Sequence, residues 1–175
     1  MKKPDENANI LTYLQWRGDL TFSQSSFCQI DSLILCCLSY LNWDGIAAGR
    51  TLSESVSLQD AIAQWNAKPE EQQITRSPLD RTLLELLSES ARFRDVRLFR
   101  YEAVFSERRQ QQFSAVSFLL GKSTVYAAFR GTDNTLTGWR EDFNMSFLSE
   151  TPSQQAASAY LRSLLETDLQ HVLVG

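Results

Sequence analysis

The chain has 175 residues, 43% of them hydrophobic, and a formal charge of −4. That is the length of one domain with ample material for a core, which excludes a disordered tail, a coiled coil and a collagen-like chain. Mild acidity without a Lys/Arg block points away from nucleic acid and from an anionic membrane surface.

The opening Met1-Lys2-Lys3-Pro4-Asp5-Glu6-Asn7 has no apolar stretch behind its lysines and does not read as a signal peptide. Nothing approaches the ~18 uninterrupted apolar residues of a membrane helix. Cys28, Cys36 and Cys37 sit in or beside an apolar run with no histidine or further thiol nearby, so they read as buried free thiols rather than metal ligands or nucleophiles. An odd number of reduced cysteines fits a cytoplasmic location. No metal or cofactor is expected.

Residues 1–92 read as mainly helical. Asn9 to Trp16 forms a short helix closed by Gly18. Ile30, Leu33, Ile34, Cys37, Leu38 and Leu41 recur at helical spacing, and Leu35 and Cys36 widen the stripe until the helix is apolar nearly all round, which predicts burial. Residues 45–57, rich in Gly, Ser and Ala, read as a loop. Leu58 to Trp65 reads as a weaker helix, followed by the polar stretch Lys68 to Gln73. Ser77-Pro78 opens a further helix, with Asp80 in its first turn and Leu79, Leu83, Leu86 and Leu87 as its apolar face.

Over residues 93–175 the period changes from 3.6 to 2. Val96, Leu98 and Tyr101 to Phe105 predict a strand ended by the charged turn Glu107-Arg108-Arg109. Phe113 to Leu120 is a second strand, and Gly121-Lys122-Ser123 supplies a hairpin turn. Thr124 to Phe129, apolar on both faces, belongs in the middle of a covered sheet. Phe143, Met145 and Phe147 alternate with Asn144 and Ser146 as a shorter strand, its apolar row read as a core-facing edge. Thr151-Pro152-Ser153-Gln154 makes a capping box, and Tyr160, Leu161, Leu164 and Leu165 line the helix behind it. His171-Val172-Leu173-Val174-Gly175 closes as a buried strand, so strand, helix and strand form a crossover unit and imply a parallel pair in a mixed sheet. The expected class is α/β, in a single domain over residues 1–175.

The segment Val125 to Asp133 carries most functional information. An apolar strand runs straight into Arg130-Gly131-Thr132. A glycine just past a strand lets the backbone turn sharply and leaves the next N–H unpaired. An exposed amide at the carboxyl edge of a sheet is well placed to stabilise an oxyanion, and Thr132 offers both an N–H and a hydroxyl.

Ala128-Phe129-Arg130-Gly131-Thr132, with Trp139 and Asp142 following, resembles the class 3 lipase group of α/β-hydrolases, and more closely a bacterial lipase-like family. That family's pattern is echoed in Leu14-Gln15-Trp16-Arg17-Gly18-Asp19, in Gln112-Phe113-Ser114-Ala115-Val116 and through Phe129 to Phe147. The likeness runs from about Asn9 to Gly175 and is weakest between Gly45 and Gln73. It implies that Thr132 contributes to an oxyanion hole and that Arg130 and Asp142 form an ion pair fixing the loop, with Gly131 and Trp139 in support. It also implies a lipid or small acyl ester as substrate of the complete form.

The departure concerns the nucleophile. In such hydrolases the strand after the crossover helix ends in Gly-x-Ser-x-Gly. Here that strand is Val172-Leu173-Val174-Gly175, the sequence ends where the elbow is expected, and none of the seven glycines frames such a motif. His171, the single histidine, precedes the strand and comes too early for a triad ordered serine, acid, histidine. The expected fold is thus an incomplete α/β-hydrolase without its own nucleophile, acid or base, and so without triad-dependent activity. Two rivals stand beside it: a shortened gene product, and a non-catalytic binding or dimerisation module that self-associates through an exposed sheet edge.

Weaker motifs carry less. Gly121-Lys122-Ser123-Thr124 imitates a phosphate-binding loop, but Val116 stands where the first glycine belongs. Arg17-Gly18-Asp19 reads as a helix stop. Asp133, Glu141 and Asp142 lack the ligand alternation of a calcium loop.

Overall fold

The computed structural model describes residues 9–108, 111–131, 147, 149–167 and 169–175. Its elements in chain order are α1 (Ile10–Arg17), α2 (Gln29–Leu38), β1 (Val56–Ser57), α3 (Leu58–Asn66), α4 (Leu79–Glu89), β2 (Arg97–Ser106), β3 (Gln111–Leu119), β4 (Thr124–Phe129), α5 (Pro152–Leu165) and β5 (His171–Val174). The strands form one sheet in the order β1-β2-β3-β4-β5, antiparallel throughout except for the parallel pair β4–β5. The α/β class and the parallel crossover are as the sequence implies. No helix among the described residues is long and apolar enough to cross a membrane.

Local chemistry explains the element ends. Asn9 caps α1 by accepting from the N–H groups of Leu11 and Thr12 at 2.9 and 3.2 Å. The box at α5 closes reciprocally: Thr151 Oγ1 accepts from Gln154 N–H at 3.3 Å, and Gln154 Oε1 accepts from Thr151 N–H at 2.7 Å. Gly121 turns the β3–β4 hairpin with a φ of +105°, a conformation open to glycine and closed to most side chains. At α4, Ser77 Oγ accepts from Leu79 N–H, while the Asp80 carboxylate folds back onto the N–H groups of Arg76 and Ser77.

The sheet is covered on both faces. On one side α1 to α4 bury Ile34, Leu38, Trp43, Trp65, Leu83 and Leu87 against Leu98, Phe118 and Tyr126. On the other, the crossover helix α5 places Tyr160 and Leu164 against Phe99, Phe113, Val125 and Ala127. The Tyr160 hydroxyl donates to the Arg100 carbonyl and shares a hydrogen bond with Ser117 Oγ, both at 2.7 Å. Burial pushes this phenol well above its ordinary range.

One buried ion pair fixes the helical layer. Arg92 and Asp31 meet with side chains 1% and 0% exposed. Arg92 Nη1 also donates to the carbonyls of Leu20 and Ser25, and Nη2 to that of Ser26, so one guanidinium gathers the loop between α1 and α2. Asp31 additionally accepts from the Tyr13 hydroxyl and the Cys28 N–H. Burial opposes its ionisation, but the Arg92 and Cys28 hydrogen bonds outweigh that and hold the carboxyl below its usual range.

Five expectations need correction. The closing strand β5, expected to be buried, is exposed at His171, Leu173 and Val174, because it is the last strand of the described sheet. Helix α2 ends at Leu38 rather than continuing to Leu41, and its Ile30 and Leu33 are 40% and 52% exposed, facing a shallow apolar groove beside Tyr13 and Trp16. On α4 the buried set is Leu83, Leu84 and Leu87; Leu79 points outward because it lies in the first turn, short of the core. Of the cysteines only Cys37 is buried, and Cys28, at the N-cap of α2, is exposed. The expected loop over residues 45–57 contains β1, which adds a two-residue edge to β2. The strand predicted at Phe143 to Phe147 falls largely outside the described residues, and Phe147 itself sits exposed in a turn.

Candidate functional site

The carboxyl ends of β4 and β5 lie side by side. Gly175 N–H donates to the Ala127 carbonyl at 3.1 Å, and Phe129 N–H donates to the Gly175 carbonyl at 2.8 Å. The next residue, Arg130, leaves the ladder with its N–H on the Ser114 carbonyl of β3 at 2.9 Å. The Arg-Gly segment after β4 and the glycine after β5 therefore share one rim, the edge where α/β sheets gather their ligands. Each strand delivers a chain end there because both run in the same direction.

Gly175 is held in place from below. A Cβ on it would collide with the Tyr126 hydroxyl and crowd Cys36 Sγ. Tyr126, on β4, is in turn pinned to α2: its hydroxyl lies 2.6 Å from Ser32 Oγ and 3.0 Å from Cys36 Sγ. Burial and the Cys36 contact push this phenol up to about 12, so it remains a neutral donor at ordinary pH. The rim position of Gly175 thus depends on the seating of α2, which the Arg92–Asp31 pair secures.

Gly131 is exposed and takes no left-handed φ. A Cβ there would make only ordinary contact with the Tyr40 hydroxyl, at 3.5 Å. The expected reason for a glycine at this position, a conformation other residues cannot adopt, is not what its own backbone exhibits. Arg130 is half-buried, and among the described residues it has no carboxylate partner. Thr132, Trp139 and Asp142, on which the expected oxyanion contact and ion pair rest, lie outside the described residues, as do Asp133 and Glu141.

A cleft of about 560 Å³ opens on the same rim, lined by Arg130, Tyr40, Asp44, Arg50, Tyr101 and Glu102 among others. Sequence reasoning missed it because its wall depends on a bulge in β2. The β2–β3 register shifts between Phe99 and Glu102, where Arg100 adopts a φ of +55°. That conformation is uncommon for a residue with a Cβ, and it is fixed here by Arg100 N–H and Tyr101 N–H donating to the carbonyls of Gly49 and Ala47. The bulge re-aims Tyr101 to Val104 toward the cleft, a common use of such irregularities. A Gly or Asn at position 100 would have signalled it; arginine does not.

Tyr40 is positioned by the Arg76 guanidinium, 5.1 Å from its ring centroid. His171 lies at the opposite end of β5, exposed and paired with Thr124. Four residue steps along the strand, roughly 13 Å, separate it from the rim at Gly175. Gly121-Lys122-Ser123 is the β3–β4 hairpin turn, on that same far side.

A family model described as Mbeg1-like matches residues 87–175, just over half of the chain, taking in the end of α4, strands β2 to β5 and the crossover helix. No curated protein and no solved structure matches the chain significantly.

Proposed function

We propose that this chain, which belongs to the Mbeg1-like family, carries the oxyanion-binding part of a serine hydrolase of the α/β class acting on a carboxylic ester of lipid-like character. One observation carries the reading: the Arg130-Gly131 segment that leads into Thr132 and the glycine that ends β5 share a rim, hydrogen-bonded through Phe129 and Gly175. In a nucleophile-elbow arrangement the attacking serine follows the second strand, and the donor to the oxyanion follows the first. The spacing of a parallel pair, about 4.8 Å, brings both within reach of one carbonyl carbon.

In this reading a serine supplied from outside these 175 residues attacks the ester carbonyl, and a histidine takes its proton. The Thr132 N–H and hydroxyl hold the negative charge that develops on the carbonyl oxygen. Arg130 and Asp142 fix the loop, and Gly131 and Trp139 support it. Cys36, Ser32 and Tyr126 act beneath the rim, seating Gly175 rather than touching substrate. Three cysteines, an odd number with no disulfide between them, fit a cytoplasmic setting.

Reading the coding DNA beyond the codon for Gly175 tests this directly. An in-frame x-Ser-x-Gly immediately after it, which completes Gly-x-Ser-x-Gly from Gly175, with an acid and a histidine further on, is expected. A stop codon there, together with p-nitrophenyl ester turnover by the 175-residue chain that vanishes on changing one of its own serines or His171, would overturn the assignment.

A second reading has its own support. Among the described strands β5 is an edge, with Leu173 and Val174 38% and 56% exposed, and such an edge can pair with another chain. Under that reading the module binds or dimerises, and light scattering of the purified chain reports a dimer.

A further inference from the structure

We propose that the rim cleft binds a zwitterionic head group, an anion and an ammonium a few ångströms apart of the kind carried by an aminoalkyl phosphodiester lipid. The proposal rests on the ester-hydrolase reading for its role, since the cleft opens beside Arg130 and Gly131, but not for its chemistry.

That chemistry comes from charges that face the cleft without answering one another. Arg50 and Arg130 line it on one side of the charge balance, and Asp44 and Glu102 on the other. Among the described residues neither arginine has a carboxylate within ion-pairing distance, and the Asp44 carboxylate makes no ion pair, although Lys68 Nζ donates to the Asp44 backbone carbonyl at 2.7 Å. Glu102 has only a loose contact with Arg100, at 3.6 Å. Opposite charges free to approach usually pair; here the backbone fixes them on separate elements around a cavity. Arg130 follows β4, Glu102 lies on the bulged part of β2, and Asp44 and Arg50 stand on the loop between α2 and β1.

A lone anion would meet two carboxylates, and a lone cation two guanidinium groups. A ligand carrying both charges satisfies both sets, with the guanidinium forks on phosphate oxygens and the carboxylates on an ammonium. Tyr40 and Tyr101 stand on the same walls, and the Tyr40 hydroxyl lies beside Gly131. The volume, about 560 Å³, suits a small ligand rather than a macromolecular surface.

The test is calorimetric titration of the 175-residue chain with glycerophosphoethanolamine, beside glycerol 3-phosphate, ethanolamine and β-alanine. Saturable binding of glycerophosphoethanolamine is expected, about fivefold or more tighter than any of the other three, because each lacks one charge or the phosphodiester. Arg50→Gln and Asp44→Asn, both at exposed positions, are each expected to weaken it by about fivefold while thermal unfolding stays unchanged. Equal affinity for glycerol 3-phosphate would overturn the zwitterion in favour of a plain anion site. Equal affinity for β-alanine would overturn the lipid head group in favour of an amino acid. Absence of saturable binding, or variants that bind as well as the parent, would overturn the site itself. None of these outcomes involves hydrolysis, so the head-group assignment and the ester-hydrolase reading fail separately.

Discussion

Replacing Asp31 by asparagine removes the charge that answers Arg92 at a place where neither side chain reaches solvent. The arginine keeps its bonds to the Leu20, Ser25 and Ser26 carbonyls but loses its carboxylate at Nε and Nη2. A buried charge left without its partner costs about 3–5 kcal/mol. The asparagine amide also faces the Cys28 N–H and the Tyr13 hydroxyl, at least one of which must then lose its acceptor. For a chain of this length the loss corresponds to a fall of roughly 6–20 °C in Tm. Urea unfolding followed by circular dichroism gives the free energy. The double variant Asp31→Leu with Arg92→Met should recover a good part of it, because an apolar pair leaves no stranded charge. A loss below about 1 kcal/mol for Asp31→Asn would refute the reasoning, since that is the range of solvent-screened pairs.

Three further predictions follow from the same contacts. Because Asp31 titrates below its usual range in the folded chain, its contribution is present above the unfolded value near pH ~3.9 and disappears as pH falls through the folded one; unfolding free energies of the parent and Asp31→Asn should therefore converge as pH is lowered below about 4. Tyr160→Phe deprives the Arg100 carbonyl of its donor and Ser117 Oγ of its partner, for a loss of about 1–3 kcal/mol in urea unfolding; an unchanged midpoint would mean that the β2 bulge does not depend on this tether. Gly175→Ala drives a methyl into the Tyr126 hydroxyl, so the Phe129 amide, bonded to the Gly175 carbonyl, should exchange its hydrogen faster by about tenfold or more; unaltered protection would show that the two strand ends are not coupled.

What could be read from the residues was whatever depends on near neighbours. The capping box at Thr151, the turn at Gly121 and the doubly apolar β4 each need a handful of adjacent positions, and each stands where expected. The parallel pair was legible for a related reason: a helix between two apolar strands leaves room for a crossover. The Asp31–Arg92 pair joins positions 61 apart, and Ser32 reaches Tyr126 across 94, so no local pattern announces either. Leu79 and Leu33 carry the right residue type at the right spacing, yet both face outward, since periodicity fixes a face but not how far the neighbouring core extends. The cleft was hidden because the bulge at Arg100 is imposed by carbonyls of Gly49 and Ala47, some fifty positions upstream, against the preference of arginine itself.

The decisive measurement is p-nitrophenyl butyrate hydrolysis by the in-frame polypeptide that includes the residues encoded after Gly175, parent against Thr132→Ala. If position 132 supplies a donor to the oxyanion, kcat should fall by about 10²–10³ with KM and thermal stability little changed. An active parent whose Thr132→Ala variant retains its full kcat would contradict the proposed role of that rim.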